Sequence, residues 1–371
     1  MRLTLTIGSL GPGGAEHVLS LMANDWAAKE IDITLITMDD AIRKPFFPLD
    51  ERITLVPLGI SISASFTPAN IFVQLWKNID ALRRLRNTLH ISRPDCVISF
   101  IEKMNVLTLL ASKGLGIPII VAERTNPRMY PNSRVWSILR RITYPWAKYV
   151  VVQTNGVQMA YPVGIRKRSI VIPNPVPAPS AYQPEERLDD PLLPATIVSI
   201  GRLEFAKGHD LLIRAFASIA YQYPDWRIEI WGEGVARQEL EELIRKLKLE
   251  NRVFLPGLTR DSSAVLRNAK LFVLPSRYEG FPNVLCEAMA HGLPVISYAC
   301  DYGPSEIIQH SVDGILVPPE DISGLADAMR QLIESPQERR RLANAATHLP
   351  QRFHFDDILA QWEAILPCDN I

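Results

Sequence analysis

Short apolar runs recur along this chain, each followed by a longer segment in which apolar residues return every three or four positions. The runs have the length of buried strands, and the longer segments have the spacing of amphipathic helices. The predicted strands cover residues 3–7, 33–37, 96–100, 117–121, 149–152 and 170–172, then 196–200, 227–231, 253–256, 271–274, 295–297 and 315–317. Two such series predict an α/β protein with two doubly wound parallel sheets.

A proline-rich segment separates the two series. Residues 172–180 contain four prolines, which exclude both a helix and a central strand. We interpret this segment as a linker between two domains, as expected for a chain of 371 residues. Ligands of doubly wound sheets bind at the carboxyl ends of the strands, so two facing sheets predict a site in the cleft between the domains.

The composition is that of a folded soluble protein, with 47% apolar and 22% charged residues. No apolar run approaches the roughly 20 residues of a membrane-spanning helix, and the first residues alternate like a strand rather than a signal peptide. We therefore expect a cytoplasmic protein. The four cysteines are scattered without a C-x-x-C pair, which argues against a disulfide framework and a zinc site.

A net charge of zero conceals two halves of opposite sign. Residues 1–175 contain 21 Lys/Arg against 12 Asp/Glu, and the remainder contains 19 against 28. Nine of the basic residues lie between Arg124 and Pro184, a span without any Asp or Glu. Such a field attracts phosphates or an anionic membrane face. A nucleic-acid partner is not expected, because no zinc-finger, RRM or KH pattern accompanies the charge.

Two carboxylates eight residues apart mark the segment from Ser276 to Pro294. Glu279 lies in a loop broken by glycine and proline, and Glu287 lies one turn into an apolar helix. A loop before a helix offers backbone N–H groups to an anion, and carboxylates accept hydrogen bonds from sugar hydroxyls. The pattern predicts a sugar-phosphate site. The alternative is a loop acid and a residue that stabilises a helix N-terminus.

Two glycine-containing turns are candidate phosphate sites. Residues 11–16, Gly-Pro-Gly-Gly-Ala-Glu, follow the first strand, although Glu16 replaces the third glycine of a Rossmann fingerprint and a plain tight turn explains the glycines equally well. Residues 201–208, Gly-Arg-Leu-Glu-Phe-Ala-Lys-Gly, follow the first strand of the second series. Arg202 and Lys207 there can hold a diphosphate leaving group, the alternative being two solvated surface bases.

These motifs together resemble the retaining glycosyltransferases of the GT-B fold, in the group 1 or family 4 class. The resemblance extends over nearly the whole chain and includes Trp231-Gly-Glu-Gly and the segment from Asp313 to Pro318. It implies two Rossmann-like domains facing a cleft: an acceptor-binding domain 1–175, a nucleotide-sugar-binding domain 176–354, and a C-terminal helix within 355–371 that crosses back onto the first domain.

The resemblance also implies roles for individual residues. Arg202 and Lys207 would hold the donor diphosphate, Glu287 the ribose hydroxyls and Glu279 the donor sugar. Backbone N–H groups near the sugar and phosphates would come from Phe281, Asn283 and Val284, and Gly13 and Gly14 would approach the phosphate from the other domain. UDP is the nucleotide that the resemblance favours. Glu279, Glu123, Arg202 and Lys207 are the predicted catalytic residues.

The acceptor side of the site is less explicit in the sequence. Glu123 ends a buried strand where many relatives carry a histidine, so it is expected to orient the acceptor, with an ion pair to Arg124 as the alternative. Glu102 and Asn105 follow the strand that ends at Phe100 and are further acceptor candidates. Arg124 is a candidate for an acceptor diphosphate.

Retention of configuration needs no separate base, because the departing phosphate can accept the acceptor's proton. The chain has no Asp-x-Asp motif: Asp39-Asp40 and Asp356-Asp357 are adjacent pairs. We therefore expect no cofactor and metal-independent transfer. A sugar-nucleotide epimerase, a phosphorylase and a non-catalytic nucleotide-sugar or lipid-binding protein are the alternative functions.

The segment from Asn132 to Trp146 mixes apolar residues with arginines and is suited to a membrane interface. An ordinary helix packed on the sheet is the alternative. With the basic span around it, the segment predicts peripheral association with an anionic membrane surface. We accordingly expect the acceptor to be a polyprenyl-diphosphate-linked saccharide.

Overall fold

The structure is a computed structural model that describes residues 1–39, 44–60, 71–124, 134–176, 188, 190 and 192–367, with the backbone alone for 71–77 and 134. Asp40, Arg128, Asn132, the linker from residue 177 to 180 and Cys368 lie outside these residues. The chain divides into unit 1, Met1–Asn174 with Ile358–Ile371, and unit 2, Pro175–Asp357. These divisions lie one and three residues from the boundaries that the sequence suggests.

Unit 1 contains a parallel sheet of seven strands in the order β3-β2-β1-β4-β5-β6-β7. Its strands are β1 Arg2–Ile7, β2 Asp32–Thr37, β3 Thr54–Pro57, β4 Cys96–Phe100, β5 Ile119–Ala122, β6 Tyr149–Val152 and β7 Ser169–Val171. Its helices are α1 Gly14–Ala28, α2 Ile71–Ser92, α3 Glu102–Ser112, α4 Arg134–Thr143, α5 Asn155–Ala160 and α6 Val163–Arg166, with a 3₁₀ turn at Tyr144–Trp146.

Burial on both faces explains the apolar character of the central strands. In β1, Leu3, Leu5 and Ile7 are buried on one face, and the threonines between them are buried on the other. The hydroxyl of Thr6 hydrogen-bonds that of Thr108 on α3 at 3.0 Å, which satisfies both polar groups inside the core. Parallel strands covered on both sides therefore read as continuous apolar runs.

The sequence prediction missed β3. This strand lies at the edge of the described sheet beside β2, is half exposed along its length and ends at Pro57. An edge strand needs neither a long apolar run nor a full set of N–H donors, so its sequence carries little signal. The other twelve strands of the two sheets were predicted, with ends shifted by up to two residues.

The last helix, α15 Phe355–Glu363, brings the end of the chain into unit 1. The indole of Trp362 stacks on Phe100 with ring centres 6.2 Å apart. Glu363 accepts hydrogen bonds from Trp26 Nε1 at 3.2 Å and from Lys29 Nζ at 2.8 Å. The helix thus contributes an aromatic residue to the core of unit 1 and is fastened to α1.

Unit 2 contains a parallel sheet of six strands in the order β10-β9-β8-β11-β12-β13. Its strands are β8 Thr196–Ile200, β9 Arg227–Trp231, β10 Val253–Gly257, β11 Leu271–Leu274, β12 Val295–Tyr298 and β13 Ile315–Val317. Its helices are α7 His209–Ile219, α8 Arg237–Lys246, α9 Ser262–Arg267, α10 Asn283–Ala290, α11 Pro304–Ile307, α12 Ile322–Glu334, α13 Pro336–Ala346 and α14 Leu349–Arg352, with a 3₁₀ turn at Phe205–Lys207.

The two faces of this second sheet support separate hydrophobic clusters. Ile197 of β8 and Val273 of β11 belong to the cluster under α7 and α12. The neighbouring residues Val198 and Phe272 belong to the cluster under α10 and α14. Successive strand residues point to opposite faces, so both layers of helices are held by alternate residues of the same strands. The doubly wound fold predicted from the sequence is present in each unit.

Candidate functional site

The candidate donor residues lie where the strand order of unit 2 changes direction. The sheet runs one way from β8 through β9 to β10 and the other way from β11 to β13. The loop after β8 carries Arg202 and Lys207, and the loop after β11 carries Glu279. Ligands of doubly wound sheets bind outside the carboxyl ends of strands at this position. The topology therefore brings together two motifs that are far apart in the sequence.

Close packing at Gly208 joins the two loops. Gly208 follows the 3₁₀ turn Phe205–Lys207 and has a φ of 63°. A Cβ atom at this position would lie 2.0 Å from the carbonyl oxygen of Pro275, just after β11. Only glycine combines this backbone conformation with such a close approach. The turn is consequently pressed against the β11 loop, and Lys207 reaches Glu279.

An ion pair links the two candidate motifs directly. Lys207 Nζ donates a hydrogen bond to Glu279 Oε1 at 2.6 Å. The same oxygen accepts a hydrogen bond from Ser276 Oγ at 2.7 Å, and Ser276 is buried. Both side chains of the ion pair are largely enclosed. The carboxylate is therefore fixed by one cation and one hydroxyl, as expected for a group that must present an oxygen to a ligand in a set position.

Arg202, the other predicted cation, has a carboxylate partner of its own. Its Nη1 lies 3.1 Å from Glu204 Oε1, and its side chain is half exposed. Gly232 in the next loop holds this segment in place, because a Cβ there would lie 2.0 Å from the oxygen of Gly201. Two cations and two carboxylates thus share the region. An entering diphosphate would compete with Glu204 and Glu279 for the two bases.

Arg277 connects the 3₁₀ turn and helix α7 to the loop that carries Glu279. Its guanidinium forms a two-pronged ion pair with Asp210 of α7, with both N–O distances 2.8 Å. It also donates to the carbonyl oxygen of Phe205 at 2.8 Å, and its backbone N–H donates to the oxygen of Ala206. Asp210 raises the pKa of Arg277 through this hydrogen bond. Arg277 therefore fastens the 3₁₀ turn beside Lys207 to the Glu279 loop.

Helix α10 supplies the other predicted donor contacts. It begins at Asn283, followed by Val284, so the first N–H groups of the helix point away from its hydrogen-bonded body. Glu287, in the second turn, accepts a hydrogen bond from Ser262 Oγ at 3.0 Å. Phe281 is buried and packs edge-on against Phe353 with ring centres 5.4 Å apart. Its aromatic ring anchors the loop and leaves only its backbone as a ligand contact.

His209 lies beneath the Arg202–Lys207 turn, at the first position of α7. The imidazole is buried, and burial, with the charge of Lys207, lowers its pKa to about 4. The ring is neutral at physiological pH. It adds no charge to the region and acts as part of the supporting core.

In unit 1 the glycine-rich turn leads directly into α1, with Gly13 at the position before the helix. The N–H of His17 donates to the oxygen of Gly13 at 2.9 Å, closing the first helical turn. The carboxylate of Glu16 folds over Gly13, since one of its oxygens lies 2.0 Å from the position of a Cβ on that residue. A phosphate approaching Gly13 or Gly14 would meet this negative group. Glu16 must turn away for such contacts to form.

Glu123 was expected to contact the acceptor, but the structure buries it inside unit 1. Its side chain is 1% exposed. Oε2 accepts a hydrogen bond from Tyr161 at 2.5 Å, and Oε1 accepts one from Tyr144 and one from Asn105 Nδ2, the latter at 3.1 Å. The carboxylate is enclosed by protein donors and cannot reach a ligand in this arrangement. The sequence also allowed an ion pair between Glu123 and Arg124, but the contacts that hold the carboxylate come from the two tyrosines and Asn105 instead.

Glu102 and Asn105 are also enclosed rather than open to an acceptor. Asn105 is fully buried and donates to the oxygen of Ala122 at 3.1 Å as well as to Glu123. Glu102 pairs with Arg140 of α4 at 3.2 Å. Burial, and then the nearby charge of Glu123, raise the pKa of Glu102 to about 7, outweighing the effect of Arg140. The predicted acceptor residues thus form a buried polar network in unit 1.

Arg124 is likewise unsuited to binding an acceptor diphosphate where it lies. The guanidinium donates to Asn174 Oδ1 and rests over the rings of Phe100 and Trp362, at 4.4 and 5.5 Å from their centres. Burial lowers the pKa of Arg124 to about 9. Its observed role is to join the strand end, the start of the linker and the C-terminal helix inside unit 1.

Sequence reasoning missed the groups that support the candidate donor residues. Ser276 positions Glu279, Ser262 positions Glu287, and Arg277 positions the 3₁₀ turn. Serines and arginines near turns are common, so they carry no spacing signal.

Among the described residues, no three His, Cys, Asp or Glu side chains cluster as metal ligands, and Cys96, Cys286 and Cys300 are free and buried. None of the described helices is both long enough and apolar enough to cross a bilayer.

The arrangement in unit 2 has the chemistry to bind a sugar diphosphate. Cations beside a helix N-terminus can neutralise phosphate charge, and two carboxylates held by serines can accept hydrogen bonds from hydroxyl groups.

Two protein-family models match the chain, one in each half. Residues 12–178 match the model described as Glycosyltransferase Family 4, and residues 186–349 match the model described as Glycosyl transferases group 1.

Individual relatives match the chain along nearly its full length. An α-1,4-N-acetyl-D-galactosaminyltransferase of Campylobacter jejuni, whose name gives a diNAcBac-PP-undecaprenol-linked saccharide as its acceptor, is 26% identical over 98% of this chain and 97% of that protein. The amylovoran biosynthesis glycosyltransferase AmsD of Erwinia amylovora is 26% identical over 98% and 99%. Among solved structures, HepE of Anabaena with UDP and glucose has a TM-score of 0.79, 22% identity and 99% coverage of both chains, which shows a shared fold.

Proposed function

Because the two family models together match residues 12–178 and 186–349, the chain belongs to the group 1, family 4 glycosyltransferases, and we propose the following reaction for it. It transfers a hexose or N-acetylhexosamine from a UDP-sugar, with retention of configuration, to a polyprenyl-diphosphate-linked saccharide in bacterial cell-surface glycan synthesis. The observation that carries the proposal is the contact of Lys207 with Glu279 at the carboxyl ends of β8 and β11.

In this proposal the donor binds to unit 2. Lys207 and Arg202 neutralise the diphosphate, and the N-terminus of α10 adds backbone donors. Glu279 accepts hydrogen bonds from sugar hydroxyls and Glu287 from the ribose. UDP as the nucleotide is supported by its presence in the complex of HepE, whose fold this chain shares.

The proposed transfer is a substitution on one face of the sugar. The bond from the anomeric carbon to the diphosphate oxygen breaks as the acceptor oxygen forms its bond on the same side. The acceptor's proton passes to the departing phosphate oxygen, so the protein supplies position and charge stabilisation rather than a base. The burial of Glu123 is compatible with this scheme, because no basic group from unit 1 is required.

We propose that no metal ion takes part. Two cations already lie beside the expected position of the diphosphate, and they can take up the charge that develops on the leaving group. Transfer measured in EDTA is therefore expected to equal transfer in magnesium. A loss of transfer in EDTA that magnesium restores would contradict this part of the proposal.

The acceptor is proposed to bind to unit 1 at the change of strand direction between β1 and β4. The residue that follows β4, Ile101, has a φ of 73°, which a β-branched side chain rarely adopts, and such strain is concentrated at functional sites. A lipid-linked acceptor is supported by the name of the Campylobacter relative. We further propose that the enzyme works at the cytoplasmic face of the membrane.

The decisive experiment screens a panel of UDP-sugars with purified protein, with and without polyprenyl-diphosphate saccharides. We expect UDP release that depends on an acceptor and a product whose anomeric signal in NMR has the configuration of the donor. Lys207→Ala should lower the rate of release about a hundredfold, whereas Arg245→Ala on the exposed face of α8 should leave it unchanged. Turnover without an acceptor would indicate an epimerase, sugar phosphate formed from free phosphate would indicate a phosphorylase, and donor binding without turnover would indicate a binding protein.

A further inference from the structure

Helix α4 presents a row of apolar side chains to solvent. Val135, Ile138 and Ile142 are 50, 56 and 52% exposed, and their spacing of three and four residues places them on one face of the helix. Trp146, in the 3₁₀ turn that follows, is 42% exposed. We call these four residues the α4 surface. Exposed aliphatic residues are ordinary singly, but a helical row of them is typical of an interaction site.

The inner side of α4 is already occupied, so the α4 surface is not a misplaced core face. Trp136 is buried, and Arg140 turns inward to pair with Glu102 and to cover the ring of Tyr161 at 5.4 Å. The helix thus separates Trp136 and Arg140, which contact unit 1, from the aliphatic residues of the α4 surface, which face solvent. Trp136, Tyr144 and Arg140 fasten the helix to unit 1, and the three aliphatic residues remain outside.

Several basic side chains of the described residues border the α4 surface. Arg141 is exposed beside Ile142, and Lys113 Nζ lies 4.3 Å from the centre of the Trp146 ring. Helix α6, which packs against the 3₁₀ turn, adds Arg166 and leads into the exposed Lys167. The sequence from Arg124 to Pro184 contains no acidic residue. The apolar row is thus bordered by cations without compensating carboxylates from its own part of the chain.

We propose that the α4 surface docks on an anionic phospholipid bilayer. Val135, Ile138 and Ile142 enter the boundary between headgroups and acyl chains, where an amphipathic helix lies parallel to the membrane. Trp146 lies at headgroup level, as interfacial tryptophans do, and Arg141, Lys113 and Lys167 pair with lipid phosphates.

The positive charge beside the α4 surface favours an anionic bilayer over a second copy of the chain as its partner. A symmetric pairing through the α4 surface would bring the same cations of two molecules together, which is unfavourable. An anionic lipid surface supplies the opposite charge over the whole patch. The biological purpose of docking rests on the proposed lipid-linked acceptor, whereas the docking itself rests on the exposed row and its cations.

Flotation of the full-length protein with vesicles tests the proposal. Vesicles of phosphatidylcholine alone are compared with vesicles that also contain phosphatidylglycerol, and the second kind should bind the protein more strongly. Replacing Ile138 and Ile142 together by Asp should lower the apparent partition coefficient about tenfold or more, because two buried aliphatic side chains are lost. Arg141→Glu with Lys167→Glu should lower it by at least about fivefold for each charge removed.

The matched control replaces Leu192 and Val312, both exposed residues of unit 2, by Asp. This control should float like the wild type. Equal flotation of the Ile138/Ile142 variant and the wild type would overturn the proposal, as would binding that ignores phosphatidylglycerol. A dimer in light scattering that the Ile138/Ile142 variant converts to a monomer, without vesicle binding by either, would assign the surface to a second copy.

A separate measurement distinguishes failure of this inference from failure of the proposed function. UDP release is followed in solution for every variant, with a short water-soluble saccharide acceptor in place of the lipid. The Ile138/Ile142 variant should keep wild-type release in this assay and lose release only with a membrane-embedded acceptor. Absence of transfer by the wild type with normal flotation would refute the proposed function and leave the docking surface in place.

Discussion

Lys207 and Glu279, 72 residues apart in the sequence, form a hydrogen-bonded ion pair of 2.6 Å at the carboxyl edge of the second sheet. Neither residue is on a regular strand, so the contact depends on how two loops meet. A ligand diphosphate entering this region would draw Lys207 towards its own charge, while Glu279 would keep the hydrogen bond from Ser276 and turn to the sugar. In the proposed donor complex the pair would therefore couple the two halves of the sugar-diphosphate ligand.

This coupling predicts that changes at the two residues are not additive. Lys207→Ala should lower kcat/KM about a hundredfold, since one charged donor to the leaving group is lost. Glu279→Gln should lower it as well, and the double variant should be less impaired than the product of the two single effects, because each single change also disturbs the partner. The measurement is kcat/KM for the donor in all four forms. Strictly multiplicative losses would show that the residues act independently.

Ser276 is predicted to position Glu279. Ser276→Ala removes a hydrogen bond to a carboxylate, which corresponds to a loss of roughly tenfold to a hundredfold in kcat/KM. Ser276→Thr retains the hydroxyl and should recover part of this loss. The control is Ser297→Ala, which removes a buried hydroxyl of β12 that donates to Tyr298 instead. Wild-type kinetics for Ser276→Ala, with an unchanged thermal midpoint, would remove Ser276 from the site.

Gly208, in the candidate donor loops, is predicted to resist replacement. Gly208→Ala places a Cβ against the oxygen of Pro275 in a left-handed conformation, and we expect unit 2 to lose more than about 2 kcal/mol of unfolding free energy. Gly164→Ala is the matched control, because that helical glycine has open space around it. Urea unfolding of both variants measures the difference. Similar midpoints for the two would show that the loops can separate without cost.

Glu123 is predicted to matter for stability rather than for acceptor binding. In the wild type, tyrosine hydroxyls donate hydrogen bonds to the carboxylate of Glu123. Glu123→Gln would turn an N–H group towards one of these hydroxyls, and about 1 to 3 kcal/mol of unfolding free energy should be lost. Tyr161→Phe should act in the same direction, whereas Tyr221→Phe, at an exposed site, should have no effect. Acceptor KM is measured beside thermal unfolding. A large rise in acceptor KM with unchanged stability would return Glu123 to a binding role.

The raised pKa of Glu102 predicts a pH-dependent stability. Burial raises this pKa from the ordinary 4.5 to about 7, so between these values the folded protein retains a proton that the unfolded chain has released. The free energy of unfolding therefore falls as pH rises through this window, by roughly 3 kcal/mol at most. Glu102→Gln removes the contribution, and its stability relative to the wild type should increase towards neutral pH.

Urea unfolding at about pH 5 and at about pH 7.5 measures this change. Glu250→Gln, at an exposed position, is the control and should follow the wild type. An identical pH dependence for the wild type and Glu102→Gln would mean that Glu102 is ionised throughout.

The strands, and the positions of the candidate donor motifs after them, could be predicted from the sequence because both are local. Buried parallel strands must be apolar throughout, and the turns after β8 and β11 need glycine, proline and charged residues at set positions. Edge strand β3 was missed because half-exposed residues carry no such requirement. Ser262 and Ser276 were missed because a single hydroxyl leaves no pattern in a sequence.

What the sequence by itself determined was the two-sheet architecture, the presence of Arg202, Lys207 and Glu279 in segments after strands, and the presence of Glu287 in the helix that follows. Only the tertiary structure decided which polar residues are open to a ligand. Glu123 is enclosed because Tyr161, 38 residues away, donates to it, and Arg124 is enclosed because aromatic rings from β4 and from the C-terminal helix cover it. Burial depends on contacts between distant segments, and no local pattern records whether a strand-end carboxylate will face a core or a ligand.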